Sequence, residues 1–381
     1  MLLEQYECDE DDMAWIAQHF PNLISLGVSL NIVSPLLFAN LLHLQKIEVL
    51  KIHWGMFGET YQRLSHEERT KQQDYRRNFV LEYVERFPRL RFFDVEPDFY
   101  MADADGVLFT QDPGQPLPLE RITTNHFFNF RRTPYLTHVN FYPSNEIIGN
   151  PAPCVFLTNL KVLEVRDVKG SLIFQILTLC GKQLEELKVK IFEEQDQLDV
   201  CDIFMLCPRL HKLHYFFLVH TEETKPFNNQ LDASHFLNLK EFSLIWRLSY
   251  AYSSRLIALV LTAPLLERFT MKESFTMTYE VFTQLHRPLI DGKILQKLRK
   301  FQFGSHLEQP AELLKFLLLL PVHAPRLENM DYFGAHPSFL KLIEESPLQA
   351  LNAVENFVYT HAKSSHYLTY DGDDSDVSDL D

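Results

Sequence analysis

A cysteine, two histidines and two basic residues stand within ten positions in "CPRLHKLHYF", residues 207 to 216. Cys207 with His211 and His214 has the residue types for two kinds of chemistry: a thiolate activated by an imidazole, or sulfur and nitrogen donors around a metal ion. Either use requires the three side chains to converge. The residues between them argue otherwise, because Leu210, Leu213 and Tyr215 keep the order apolar, two variable, apolar, one variable, apolar. In that frame His211 and His214 belong to a strand segment, where side chains alternate between faces. Cys207 falls at the end of a preceding helix, and Cys180 occupies nearly the same place one unit earlier, so both read as buried structural cysteines. No Cys-x-x-Cys, His-Glu-x-x-His, Gly-x-Ser-x-Gly or Walker-type glycine loop is present. An enzyme is not expected, nor a catalytic residue, a cofactor or a metal.

The same frame recurs along the chain. "FPNLISLGV" supplies Leu23, Leu26 and Val28; "LQKIEVLKI" supplies Ile47, Leu50 and Ile52; "FPRLRFFDV" and "TPYLTHVNF" continue it through Leu90 and Leu136. From Leu136 onward the first anchors, Leu160, Leu184, Leu210, Leu239, Leu266, Leu298, Leu327 and Val354, follow at intervals of 24 to 32 residues. That range overlaps the leucine-rich repeat of about 20 to 29 residues. Segments such as 171 to 181 and 253 to 264 carry apolar residues at helical spacing and end at Gly or Pro, which marks them as return helices. Two longer gaps are read as an extended outer helix over 65 to 87, with Phe79, Tyr83, Val84 and Phe87 at helical spacing, and a Pro- and Asp-rich loop over 96 to 120. No unit can bury its apolar face alone, so neighbours must stack. The expected fold is α/β: a curved leucine-rich-repeat solenoid of about 12 irregular repeats, with parallel strands on the concave face and helices on the convex one. Residues 1–18 form an N-terminal cap, 19–366 the solenoid with the inserted loop around 96–120, and 367–381 an acidic disordered tail.

Units written "CPRLHKL", "APLLERF" and "APRLENM" resemble the repeats of the F-box leucine-rich-repeat proteins over roughly residues 20 to 360. The resemblance implies a non-catalytic substrate-recognition role of the kind found in SCF-type ubiquitin ligases. No F-box is recognisable in the chain, so adaptor and cullin subunits enter only if an F-box is supplied elsewhere. The alternative is a ligase-independent leucine-rich-repeat scaffold or regulatory binding protein.

Composition narrows the setting. The 381 residues are 46% hydrophobic, enough for a large core. The acidic N-terminal stretch has no signal-peptide pattern, and the longest apolar run, 313 to 322, is far shorter than the ~20 residues that cross a bilayer. Five irregularly spaced cysteines do not make a disulfide framework. A cytoplasmic or nuclear monomer follows as the expectation. A net charge of −15 argues against bulk attraction to nucleic acid or anionic membrane. Function should then lie on the outward strand positions, where Arg166, Lys188, Lys190, Lys212, His214, Arg268, Lys272 and Lys300 form a mostly basic strip interrupted by Glu164, Glu186 and Glu241. Such a strip suits an acidic or phosphorylated protein segment, with Phe216 and Phe333 as apolar anchors. The 31 phenylalanines otherwise read as core, Phe87, Phe242, Phe269 and Phe301 among them. The tail "DGDDSDVSDLD", 371 to 381, offers Ser375 and Ser378 as candidate phosphorylation sites. It is read as a solubilising tail or as a competitor for the basic strip.

Overall fold

The computed structural model describes residues 2–30, 34–54, 64–78, 86–95, 115–124, 130–141, 151–166, 168–191, 198–217, 231–246, 254–272, 277–304, 311–333 and 357–360. Its architecture follows from one local event repeated along the chain, a tight turn that delivers each unit into its strand. In "CPRL" the Leu210 N–H donates to the Cys207 carbonyl at 3.1 Å. Pro208 therefore sits at the second turn position, where its fixed φ is already correct. The same bond closes "FPNL" (Leu23 to Phe20), "TPYL" (Leu136 to Thr133), "FLNL" (Leu239 to Phe236) and "APRL" (Leu327 to Ala324). The Cys-Pro and Ala-Pro signature is thus turn chemistry.

Each turn feeds one strand of a single sheet in which, among the described residues, fourteen strands lie in chain order. They are β1 (Leu2–Cys8), β2 (Ser25–Leu30), β3 (Val49–Trp54), β4 (Phe92–Val95), β5 (Arg121–Thr124), β6 (His138–Phe141), β7 (Val162–Arg166), β8 (Glu186–Ile191), β9 (Lys212–Phe217), β10 (Glu241–Trp246), β11 (Arg268–Lys272), β12 (Lys300–Gly304), β13 (Asn329–Phe333) and β14 (Phe357–Thr360). All pairings are parallel. Return segments include α1 (Glu10–His19), α2 (Pro35–Leu42), α3 (His66–Asn78), α4 (Gly170–Cys180), α5 (Val200–Leu206), α6 (Ser254–Leu261), α7 (Tyr279–Ile290) and α8 (Ala311–His323), with short 3-10 turns such as Ala152–Phe156 and Ala233–Phe236. Helices are roughly twice as wide as the ~4.8 Å strand spacing, so stacking units with helices on one side bends the sheet toward its helix-free side.

The expected helices over 171 to 181 and 253 to 264 are present as α4 and α6. Of the long outer helix, α3 is described, whereas Phe79, Tyr83 and Val84 lie outside the described residues. Two strands, β1 and β5, lie outside the twelve units counted from the sequence. β1 lies inside the expected N-terminal cap and pairs with β2. β5 follows the inserted segment directly, with Leu119 and Ile122 buried, and continues the ladder from β4 to β6. Its frame, Leu119-x-x-Ile122-x-Thr124, ends on threonine rather than an apolar residue. A search for three apolar anchors therefore passes over it.

The strand anchors meet the helices in one continuous core. Leu163, Val165, Leu187, Leu213 and Tyr215 are essentially inaccessible, and the buried Tyr215 hydroxyl donates to the Leu198 carbonyl at 2.7 Å. In the C-terminal half the middle anchor becomes phenylalanine. Phe242, Phe269 and Phe301 stack through successive strands at 5.9 and 5.1 Å between ring centres, and Phe204 extends the stack at 6.4 Å. Such pairs add about 0.5–1.5 kcal/mol each beyond their area burial.

The residue just before each strand forms a further column. Its N–H donates to the carbonyl of its counterpart one unit earlier, as Glu185 does to Lys161 and Arg299 to Glu267, each at 2.8 Å. Charges in this column mostly alternate, so neighbours pair: Lys161 with Glu185 at 3.1 Å, and Arg91 with Glu120 and Arg299 with Glu328 through two-pronged contacts of 2.9–3.1 Å. Alternation favours the stacking in register, because a slip of one unit would set like charges together.

Candidate functional site

The Cys-His stretch is divided by the sheet. Cys207 caps the C-terminus of α5 and is fully buried with Cys180 and Cys154 nearby in the core. Burial pushes the Cys180 thiol up to about 12, and it raises Cys207 and Cys154 further still. A thiol held protonated in this way is a poor nucleophile and a poor metal ligand. His214 instead projects from β9 to the helix-free face, opposite the buried Leu213 and Tyr215. Among the described residues no group of three or more His, Cys, Asp or Glu side chains is placed to hold a metal ion.

That helix-free face is where the expected partner-binding residues converge. Parallel register sorts them into three columns running across the strands. The first contains Glu186, Lys212, Glu241, Arg268 and Lys300 in β8 to β12. A second contains Glu164, Lys188, His214, Ser243, Thr270, Gln302 and Asp331 in β7 to β13. The third, at the C-terminal ends of the strands, contains Arg166, Lys190, Phe216, Ile245 and Lys272 in β7 to β11. Phe333 occupies the equivalent place in β13, paired with Thr360 of β14. Side chains of Arg166, Lys188, Lys190, Lys212, His214, Phe216, Arg268 and Lys300 are half-buried, those of Lys272 and Phe333 are outside the described set, and Ser375 and Ser378 lie outside the described residues altogether.

Register also redistributes the charge that the sequence presents as one basic strip. Glu241 is at 3.8 Å from both Lys212 and Arg268 and at 4.0 Å from His214. Glu186 is at 3.3 Å from Lys188 and 3.7 Å from Lys212. Arg166 holds Glu164 at 2.8 Å. The first column is therefore an alternating ion network. The third column contains no carboxylate over β7 to β11; there the Lys190 ammonium lies over the Phe216 ring at 5.4 Å from its centre, a cation–π contact.

His214 is held below the ordinary histidine range first by burial, then by the Lys188 charge, against the opposing pull of Glu241 and Glu186. It is neutral near pH 7 and offers the face a hydrogen-bonding group in place of a fixed charge. Sequence reasoning passed over the polar end of the second column. Thr270 donates to Gln302 at 2.9 Å and Gln302 to Asp331 at 2.7 Å. Their common position in the repeat frame was the available signal, but nothing in their types marked them out.

No family model matches the chain, and no curated protein matches it. Among solved structures, the crystal structure of an internalin (inlF) from Listeria monocytogenes str. 4b F2365 is similar at 10% identity, covering 94% of this chain and 97% of that one with a TM-score of 0.42. The strand order, the uniform parallel pairing and the repeated turn themselves define the leucine-rich-repeat solenoid.

Proposed function

We propose that this chain is a non-catalytic protein-interaction module whose helix-free, concave face grips an acidic or phosphorylated segment of a partner protein. The observation that carries this reading is the third column. It brings Arg166, Lys190 and Lys272 into one row with the apolar Phe216 and Ile245, beside a first column in which acidic and basic residues alternate. A basic row of this kind selects anionic segments, while Phe216 and Ile245 give an apolar contact in which water is excluded.

The chain acts in this reading as a monomer of the cytosol or nucleus. Its closest functional type is the substrate receptor of an SCF-type ubiquitin ligase, with the F-box supplied elsewhere; the "CPRLHKL", "APLLERF" and "APRLENM" units support that assignment. Among the described residues no helix is long and apolar enough to cross a membrane.

The test uses an array of Asp/Glu-rich peptides, with and without phosphoserine, probed with the full chain and with a folded Arg166→Glu, Lys190→Glu, Lys272→Glu variant. Retention by the native chain and its loss by at least about tenfold in the variant is expected, each tenfold being about 1.4 kcal/mol. Equal retention by both overturns the reading. The ligase assignment is tested separately, by whether affinity purification from cells recovers adaptor and cullin subunits; their absence leaves the interaction module as a ligase-independent scaffold.

A further inference from the structure

At the N-terminal ends of β11, β12 and β13, outside the three columns of the helix-free face, the surface sinks into a recess of about 570 Å³. The residues just before these strands form part of its lining, held together by backbone bonds from Arg299 to Glu267 and from Glu328 to Arg299 at 2.8 Å each. Lys297 and Arg326 also line it, at equivalent positions of two neighbouring turns, one residue before Leu298 and Leu327. Both side chains are exposed, and among the described residues neither is in an ion pair. Like charges on adjacent units repel. No carboxylate of the described chain offsets this pair, although acidic residues outnumber basic ones by 51 to 36. The turn that presents Lys297 is also strained. Among the described residues Leu295 is the only non-glycine with a positive φ, 58°, a left-handed conformation that a bulky side chain rarely takes. Its burial holds it there, and its carbonyl accepts the Leu298 N–H that closes the turn. From the next position the Gln296 side chain donates to the His323 carbonyl at 3.0 Å, which ties this turn to the one that presents Arg326. Strain over-determined by its surroundings in this way clusters at ligand clamps.

We propose that this recess is an anion site for a phosphate group, held by Lys297 and Arg326. A phosphoryl group presents three acceptor oxygens, so the planar Arg326 fork can take two of them while Lys297 meets the third. A carboxylate has only two, and one fork uses both. Arg299 is committed to Glu328 through contacts of 2.9 and 3.1 Å, and Glu267 acts on it as well. Glu267 and Glu328 are the opposing charges of the lining, which therefore sets three cations against two carboxylates before a ligand arrives. The Gln296 link fixes the spacing of the two turns in advance, so binding does not have to order them. Pro325 and Leu327 supply an apolar wall. The volume exceeds that of a lone phosphate and leaves room for a group that carries it. Free phosphate and a phosphorylated side chain share this chemistry, and the experiment separates them.

The site shares no residue with the rows of the helix-free face, so it stands or falls apart from partner binding there. Isothermal titration calorimetry of the full chain, at constant ionic strength in chloride, uses inorganic phosphate, N-acetyl-phosphoserine amide and N-acetyl-glutamate amide as probes. The phosphoserine probe is expected to bind at least about tenfold more tightly than the glutamate probe. It should lose at least about tenfold in a Lys297→Gln, Arg326→Gln variant. Both positions are exposed, so the variant should keep the native urea midpoint. An Arg166→Glu, Lys190→Glu, Lys272→Glu variant should bind the phosphoserine probe as the native chain does. Inorganic phosphate that binds within about twofold of the phosphoserine probe, and is lost in the Gln variant, supports the site with the free ion as its ligand. Weaker phosphate binding supports it with a phosphorylated side chain. Equal binding by the native chain and the Gln variant, or no saturable binding by either, means an adventitious ion only and overturns the proposal. Glutamate binding as tight as that of phosphoserine overturns it too. Binding lost only in the Arg166→Glu, Lys190→Glu, Lys272→Glu variant also overturns it, and places the phosphate on the helix-free face instead.

Discussion

Changing Glu241 to Gln tests the ion network on the helix-free face. The carboxylate is 14% exposed, with Lys212 and Arg268 both at 3.8 Å and His214 at 4.0 Å. Coulomb's law at an effective dielectric near 20 gives about 4 kcal/mol for one pair of unit charges at 4 Å. That gross figure is not the net one. The two cations are 41% and 43% exposed, so water screens them, and the carboxylate has lost most of its own hydration. Exposed pairs keep about 0.2–1 kcal/mol, and His214 is neutral near pH 7, so the two remaining pairs set the expected loss at about 0.4–2 kcal/mol. The assay is urea unfolding, with the midpoint compared between the native chain, Glu241→Gln, Arg268→Gln and the double variant. A coupling energy of about 0.5–1 kcal/mol is expected from the cycle. At the same time the carboxylate that holds the His214 pKa up against burial and Lys188 disappears, so His214 must titrate at still lower pH. The face also becomes more basic, and an acidic peptide should bind more tightly even though the protein is less stable. Unchanged unfolding together with an unchanged His214 titration would refute the coupling.

Acidification should destabilise the protein through His138 and His214. Both have folded-state values below the ordinary 6.5, burial being the first cause in each, followed by the charge of Arg121 for His138 and of Lys188 for His214. The unfolded chain takes the protons first, so the stability these groups contribute is complete above about 6.5 and is lost as pH falls through their folded-state values. Melting temperatures between about pH 7.5 and 5 should fall less steeply for a His138→Gln, His214→Gln variant, and parallel curves would count against the mechanism. Phe269→Ala removes the centre of the phenylalanine stack and should cost about 3–5 kcal/mol in denaturant unfolding; a loss below about 1 kcal/mol would mean that the stack relaxes into the cavity. Gly181→Ala would bring a methyl group to 2.9 Å from the Leu206 carbonyl oxygen and 3.1 Å from the Cys207 sulfur, so a loss of about 1–3 kcal/mol is expected from overpacking. Cys180 and Cys207 should resist a thiol reagent at mildly alkaline pH until the chain is unfolded, and rapid labelling of native protein would contradict their burial.

The repeat was legible because its cause is local. A turn with Pro208 at its second position, followed by Leu210, Leu213 and Tyr215 at fixed spacing, needs no distant residue to be recognised, and the same holds for the return helices α4 and α6. Cys207 could be removed from chemistry on the same basis, since alternation along β9 puts His214 on the face away from the core that holds the cysteine. β5 escaped because Thr124 stands where the frame expects an apolar anchor, and β1 because its pairing with β2 shifts register between Leu3 and Glu7. Charge was the least legible property. Read along the chain, Lys188, Lys212 and Arg268 form a basic list; side by side in the sheet, they are interleaved with Glu186 and Glu241. The sequence alone determined that stacked strand and helix units would form, because apolar spacing and turn residues act within a few positions. Only the tertiary structure decided which charges lie side by side, because a parallel sheet brings together residues about one repeat apart, and electrostatic energy depends on that through-space distance.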